Sequence, residues 1–439
     1  MAERWSTERV TALAPDSASD VAGRRLATPV PWSDIGWSHP LLWGACQGSG
    51  KTPYSVAIDV SGPTYRCSCP SHKFPCKHVI GLLYLWAEGR IDEGGSISTY
   101  ALEWSTKQEA ASEKPARETP QEKTEEQLAA AAARAEQRED RVTQGLAELD
   151  RWLADQVTAG LAHTRPDALP DLAARMVDAQ APGVAGTLRQ LARTGAATRQ
   201  ARGPRGSALW LDETVAEYGL LHLLARAWTQ PDLPDDLRAT VRSHIGFTVA
   251  KETVLATPPV TDTWAVVGMR DSDEEQVSTR RVWLYGTATG RWALVLFFTP
   301  RGLQVDASLV PGSAVTADLH FYPGAPTLRA LVGTTHKTHL HAELQPPPAT
   351  VADALATWRR VLAEDPWLAS YPVAIHGRIV LAPEPGIVDA EGGSVALMAY
   401  DTELLLALTG GDAVTVLGEL SPRGLLATSY VSDGELVIV

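Results

Sequence analysis

The sequence predicts an α+β protein of several domains. Three observations carry this reading. A tight cysteine–histidine cluster lies at residues 67–78, helical periodicity dominates residues 126–248, and alternating apolar runs dominate from residue 249 onward. The 439-residue chain has the length of about three domains and is 44% hydrophobic, so most of it can fold.

The N-terminal region, residues 1–104, is built around Tyr-Arg-Cys-Ser-Cys-Pro-Ser-His-Lys-Phe-Pro-Cys-Lys-His-Val-Ile. Cys67, Cys69, Cys76 and His78 are spaced C-x-C, six residues, C-x-H. Three thiolates and an imidazole make a complete tetrahedral zinc shell. Three of only four cysteines fall within ten positions. Cys67 and Cys69 lie two apart and can reach one metal from a strand end. Val79 to Trp86 reads as a short buried helix, which places Cys76 just before it and His78 in its first turn. One zinc would then clip a β-hairpin to a helix N-terminus, whose dipole favours an anionic cluster. Four strong ligands leave no open position, so the zinc is expected to be structural. Trp32, Trp37 and Trp43 are expected to form a small core beside it. Cys46 reads as an ordinary small hydrophobe.

This run resembles the SWIM zinc finger, with its C-x-C-x(n)-C-x-H pattern, and all four ligand positions match. The lead-in Gly48-Ser49-Gly50, then Pro53 to Asp59, is also similar to bacterial SWIM proteins. The resemblance covers roughly the first hundred residues and nothing beyond. It implies a zinc-stabilised ββα module that binds nucleic acid or protein; it does not imply an enzyme. It also implies a setting, because bacterial proteins of similar layout are often associated with MoxR-type AAA+ ATPases and von Willebrand A-domain proteins.

Residues 105–125 are polar, mixed in charge and broken by Pro115 and Pro120. They read as a flexible linker that tethers the finger without packing it. Residues 126–248 read as a helical domain. Val142, Leu146, Leu149 and Leu153 repeat at helical spacing, and Gly160 and Pro166 end the element. Further helices are expected at Leu169–Ala179, Gly183–Thr194 and Glu213–Trp228, the last capped by Asp212, with a shorter one after Pro234. Residues 249–345 read as β-rich. Strands are expected at Trp264–Met269, Arg281–Gly286 and Arg291–Phe298, with a hairpin turn at Ala288-Thr289-Gly290. Residues 346–439 read as α+β. A helix over Thr350–Glu364 presents Ala352, Leu355, Trp358 and Leu362, and Ala413–Leu420, Gly424–Tyr430 and Glu435–Val439 form a small antiparallel sheet.

Other constellations compete with the finger. Gly48-Ser-Gly-Lys-Thr resembles the end of a P-loop, but Ala45 replaces the required glycine and Pro53 begins a strand where a helix is needed. His336, His339 and His341 form H-x-x-H-x-H, an incomplete shell that also reads as a polar edge strand. Arg199, Arg202 and Arg205 read as a glycine-broken basic loop between helices. Around the finger, Arg66, Lys73, Lys77 and Arg90 outnumber Asp59 and Glu88. They either grip phosphate or offset the net negative charge of a three-thiolate zinc, and both readings stay open. No Ser-His-Asp order, carboxylate pair or dinucleotide fingerprint stands out.

The net charge of −13 opposes phosphate backbones, so any nucleic-acid contact must be local. No signal-like apolar segment opens the chain, and no run approaches the ~20 residues needed to cross a bilayer. A cytoplasmic protein is expected, in keeping with reduced thiols. Abundant Ala, Leu, Arg and Trp match a GC-rich bacterial genome. Two functions follow: a non-enzymatic adaptor that docks protein partners, or a nucleic-acid-binding protein with the finger as reader. An enzyme in residues 250–439 has no supporting motif.

Overall fold

A computed structural model describes the chain except for residues 1–3, 15–16, 49, 51, 61–63, 70, 72–74, 113–124, 161–167, 274–276, 302–304, 307, 340–344, 383, 399–401 and 433. The content is mixed α and β, with the finger first, helices next and sheets last, as the sequence predicts.

The N-terminal region opens with α1 (Thr7–Ala12) and α2 (Ser17–Leu26). An antiparallel meander follows, of β1 (Trp32–Ser38), β2 (Leu41–Cys46), β3 (Tyr54–Asp59) and β4 (Thr64–Cys67). Helix α3 (Lys77–Ala87) is buried from His78 to Trp86, as its continuous apolar run requires. It crosses α2 at two glycines. A Cβ on Gly81 would lie 2.7 Å from Leu26 Cβ, and one on Gly23 would lie 2.4 Å from Ile80 Cγ2. Period-2 alternation along β2 sends Leu42 and Cys46 to the α3 side and Leu41 and Trp43 to the other. Trp32 and Trp37 join the core around α3, but Trp43 packs on the opposite sheet face against Ala101 and Trp104 of α4 (Thr99–Ser112). The expectation that all three tryptophans share one small core is thus corrected: the sheet is covered on both faces.

Two further expectations change here. The stretch 105–125, read as a linker, is helical through Ser112, because Ala101 and Trp104 anchor α4 to the sheet. The finger is also not held by a tether alone. Val310 packs against its core, and the charges of Arg280, Asp271 and Asp306 of the following β region act on buried Tyr65 of β4. A contact over two hundred residues of separation leaves no mark in local composition.

The helical region contains α5 (Glu125–Ala159), α6 (Ala168–Asp178), α7 (Pro182–Trp228) and α8 (Asp235–Ile245). Val142, Leu146, Leu149 and Leu153 are all buried in its core, and Gly160 takes φ +90 after α5. The expected pair of helices at Gly183–Thr194 and Glu213–Trp228 is one helix, so Asp212 is no N-cap and Arg199, Arg202 and Arg205 lie on helical backbone. Both ends of α7 bury residues in the same core, Val184, Leu188 and Leu191 at one end and Tyr218, Leu221 and Leu224 at the other. Intervening Ala, Arg and Gln favour helix, and this packing outweighs the local cost of Gly203-Pro204.

After α9 (Lys251–Leu255) come β5 (Val260–Asp273), β6 (Val277–Gly286), β7 (Trp292–Pro300), β8 (Ala314–Phe321) and β9 (Arg329–His339). They close into a barrel in the order β5-β6-β7-β9-β8, with β7 and β9 parallel. This is the strand order of an OB-fold. The hairpin turn falls where expected, with Gly290 at φ +66. Buried Asp262 accepts hydrogen bonds from the Thr263, Ala288 and Thr289 amides and from Thr289 Oγ1, fixing that turn.

The last region places α10 (Val351–Glu364) and α11 (Thr402–Thr409) on a sheet ordered β12-β11-β10-β13-β14-β15. Its strands are β10 (Tyr371–Val380), β11 (Gly386–Val388), β12 (Ser394–Ala396), β13 (Val414–Ser421), β14 (Gly424–Ser432) and β15 (Glu435–Ile438). Thr350 caps α10 through a bond from the Asp353 amide. Its inner face is Val351, Ala354, Trp358 and Val361, while Ala352 is exposed, one step from the expected stripe.

The barrel and this sheet share a core of Ala265, Val267, Trp283, Leu294, Ala374 and Leu417. Within it lies Glu419, only 2% exposed, which accepts from Arg270, Arg281, the Trp283 indole and Ser370 Oγ. Burial alone would push this carboxyl up, but Arg281, Trp283, Arg270 and Ser370 outweigh it and hold it below the ordinary carboxylate range. The helical region joins the same body, with the Trp367 indole donating to the Leu220 carbonyl at 2.8 Å and His244 Nε2 3.0 Å from Asp365.

Candidate metal centre

Strand β4 ends at Cys67, so Cys69 lies just past it, in the turn and not on the strand. Cys76 is the N-cap of α3 with extended backbone, and His78 is in the first turn. The last two positions are as expected from spacing. The apolar face of α3 fixes the helix against β2, β3 and β4, which brings its N-terminus to the end of the β3–β4 hairpin.

The four ligand atoms lie within 4.8 Å of one another. His78 Nδ1 is 3.8 Å from Cys67 Sγ and 3.9 Å from Cys76 Sγ. Sulfur and nitrogen on a tetrahedral zinc stand about 3.5 Å apart, given Zn–S near 2.3 Å and Zn–N near 2.0 Å. The donor set and its spacing therefore fit one zinc ion, with Nδ1 as the imidazole ligand atom. The ring of Tyr54 on β3 lies 4.9 Å from that of His78 and supports its orientation.

The thiols polarise one another. Cys76 is drawn down to about 4, first by its hydrogen bond with Cys67, then by His78 and the Val79 amide at the helix start. Cys67, donating that proton, is pushed up, and Cys69 is pushed up by burial. Zinc binding displaces the thiol protons of the cluster, so its affinity rises with pH. Cys46 stands apart: buried, with its thiol pushed up to about 11 by desolvation, it is an inert core residue.

Among the described residues, no other group of three or more metal-ligating side chains converges. His336 Nε2 pairs with Asp318 at 3.1 Å, and His339 Nε2 lies 3.0 Å from Thr316 Oγ1, so these histidines serve separate strand contacts. His341 lies outside the described residues. The Gly48–Thr52 segment joins two antiparallel strands, β2 and β3, so a strand and not a helix follows it; Ser49 and Lys51 lie outside the described residues. Of the basic residues near the finger, Arg66 and Lys77 are exposed, Arg90 is paired with Glu88 at 2.9 Å, and Lys73 lies outside the described residues.

Sequence reasoning missed α1, α2 and the first two strands of the sheet that seats the centre. The alternation in Leu41–Cys46 was the available signal, masked because both faces are covered.

Comparison with known families gives two matches. Residues 55–87 match the SWIM zinc finger, and residues 137–245 match the SWIM-associated four-helix bundle domain. The second match spans most of α5 and all of α6, α7 and α8, the four helices that share one core, and corrects the expectation that the resemblance ends near residue 100. No curated protein and no solved structure matches the chain. Finger, bundle and ligand geometry agree: this chain carries a SWIM zinc finger, with Cys67, Cys69, Cys76 and His78 positioned to bind one zinc ion, followed by a SWIM-associated four-helix bundle.

Proposed function

We propose that the protein is a non-enzymatic adaptor whose zinc is structural and whose finger docks a protein partner. The closed ligand set carries this reading. Three cysteines and one histidine saturate a tetrahedral ion, leaving no position for substrate or reactive water. The setting implied by the resemblance, an assembly with a MoxR-type AAA+ ATPase and a von Willebrand A-domain protein, belongs to this proposal, as does a reducing, cytoplasmic compartment. Among the described residues no helix is long and apolar enough to cross a membrane.

A second reading, nucleic-acid recognition by the finger, is favoured by one observation: Arg66 and Lys77 are both exposed beside the ligands. The net charge of −13 opposes it. The double variant Arg66→Glu, Lys77→Glu separates the two. For an adaptor, co-purification followed by quantitative mass spectrometry loses specific proteins with the variant, and duplex DNA binding is negligible before mutation. For a finger that reads DNA, the intact protein binds duplex with steep salt dependence, and the two reversals flatten it by about 0.9 in slope per lost phosphate contact. That second outcome contradicts the adaptor.

A further inference from the structure

In a five-stranded barrel of this order, the outer face of the second and third strands is where oligonucleotides are commonly bound. Fold alone assigns no function, so the side chains must carry the argument. Most of that face is closed here. Trp283 of β6 and Leu294 of β7 are buried against Ala374 and Leu417 of the C-terminal sheet. The far end of β7 escapes this cover. Phe298, on the same face as Leu294 and Leu296, is 57% exposed.

Beside it the barrel wall opens. β7 and β9 pair only through Leu294–Arg329 and Val295–Ala330, and beyond these residues neither strand pairs with the other. The Arg329 guanidinium lies 4.2 Å over the Tyr322 ring and 6.0 Å from the Phe298 ring. Arg301, directly after the end of β7, and Lys337, on β9, are exposed. Residues 287–305 and 319–342 contain no aspartate or glutamate, in a chain where acids outnumber Lys and Arg by 52 to 39. The carboxylate on the adjoining strand β8, Asp318, is occupied by Thr261 Oγ1 and His336 Nε2. Asp318 thus adds one carboxylate beside the seam, against the three cations Arg301, Arg329 and Lys337.

We propose that the β7–β9 seam is a binding platform for single-stranded nucleic acid, with Phe298 and the Tyr322–Arg329 pair stacking bases and Arg301, Arg329 and Lys337 meeting phosphates. An aromatic face among cations suits unpaired bases and not a duplex, whose bases are stacked on each other. The site is independent of the finger and goes beyond the adaptor reading.

The test uses the full-length protein and fluorescent oligothymidylate or oligouridylate of about 15 nucleotides, within the site size of one such barrel. Phe298 and Arg329 are exposed, so Phe298→Ala and Arg329→Ala should keep the wild-type melting temperature. Each should weaken binding, Phe298→Ala by about 5- to 150-fold. Arg329→Ala should also flatten the log–log salt slope by about 0.7. The Arg66→Glu, Lys77→Glu variant should bind as wild type, and a matched duplex should bind more weakly. Whichever oligomer binds more tightly identifies RNA or DNA as the source. Three results would overturn the proposal: no single-strand binding at low salt, binding unchanged in both seam variants, or equal competition by a polyglutamate peptide of the same charge.

Discussion

Cys76→Ala is expected to abolish stoichiometric zinc binding and to release the N-terminal turn of α3. Cys76 occupies both the helix N-cap and the thiol cluster, where its hydrogen bonds with Cys67, His78 and the Val79 amide favour the thiolate. A structural zinc in a small module contributes on the order of 10 kcal/mol to folding, and three remaining ligands cannot hold it comparably. The loss should nonetheless be local. Leu42, Ile58, Ile80, Leu82, Leu83 and Trp86 are fully buried in a core that extends well beyond the metal. Hydrogen exchange should accelerate in β4 and at residues 76–80, and at Arg280 and Val310 where the finger is seated. The four-helix bundle should be unaffected. Unchanged protection at residues 76–80 would contradict the assignment of Cys76.

Glu419→Ala is expected to destabilise the barrel and the C-terminal sheet together. The carboxylate is nearly inaccessible and is shared by two arginines, an indole and a hydroxyl from both sides of the junction. Removing it leaves Arg270 and Arg281 without their partner at a buried interface. Such a loss costs about 3 kcal/mol, the lower end applying because both guanidinium groups keep some contact with water. For a unit of this size that is a fall of roughly 6–12 °C in melting temperature. The effect is pH-dependent. The Glu419 carboxyl is held below its ordinary value in the folded state. Its contribution is therefore complete above the unfolded value near 4.3 and is lost as pH falls through the lower folded value. Wild type and variant should differ most at neutral pH, and the gap should begin to narrow as pH falls below about 4. A gap that stays constant down to pH 3, in differential scanning calorimetry, would show that the ion cluster is not the cause.

The parts of this molecule that sequence revealed are those whose signal is local. The metal centre is written in four residues over twelve positions, and the helix that follows them is one apolar run. Helical spacing placed Val142, Leu146, Leu149 and Leu153 in a core, and Gly290 marked its turn. What stayed hidden depends on distant partners. Gly203-Pro204 reads as a break, yet both ends of α7 are held by one core, so the helix is continuous. The β8 and β9 strands carry threonine, histidine and lysine on an exposed side, and their closure onto β5 and β7 has no local signature. The same holds for Glu419, one carboxylate among many in sequence, and for Val310, which packs on the finger core from far along the chain.

Zinc content tests the central claim most directly. Protein purified without added metal and dialysed exhaustively should contain one zinc per chain by elemental analysis, held by Cys67, Cys69, Cys76 and His78, and Cys76→Ala should contain none. A reproducible zero in the intact protein, or two zinc ions per chain, would contradict the account.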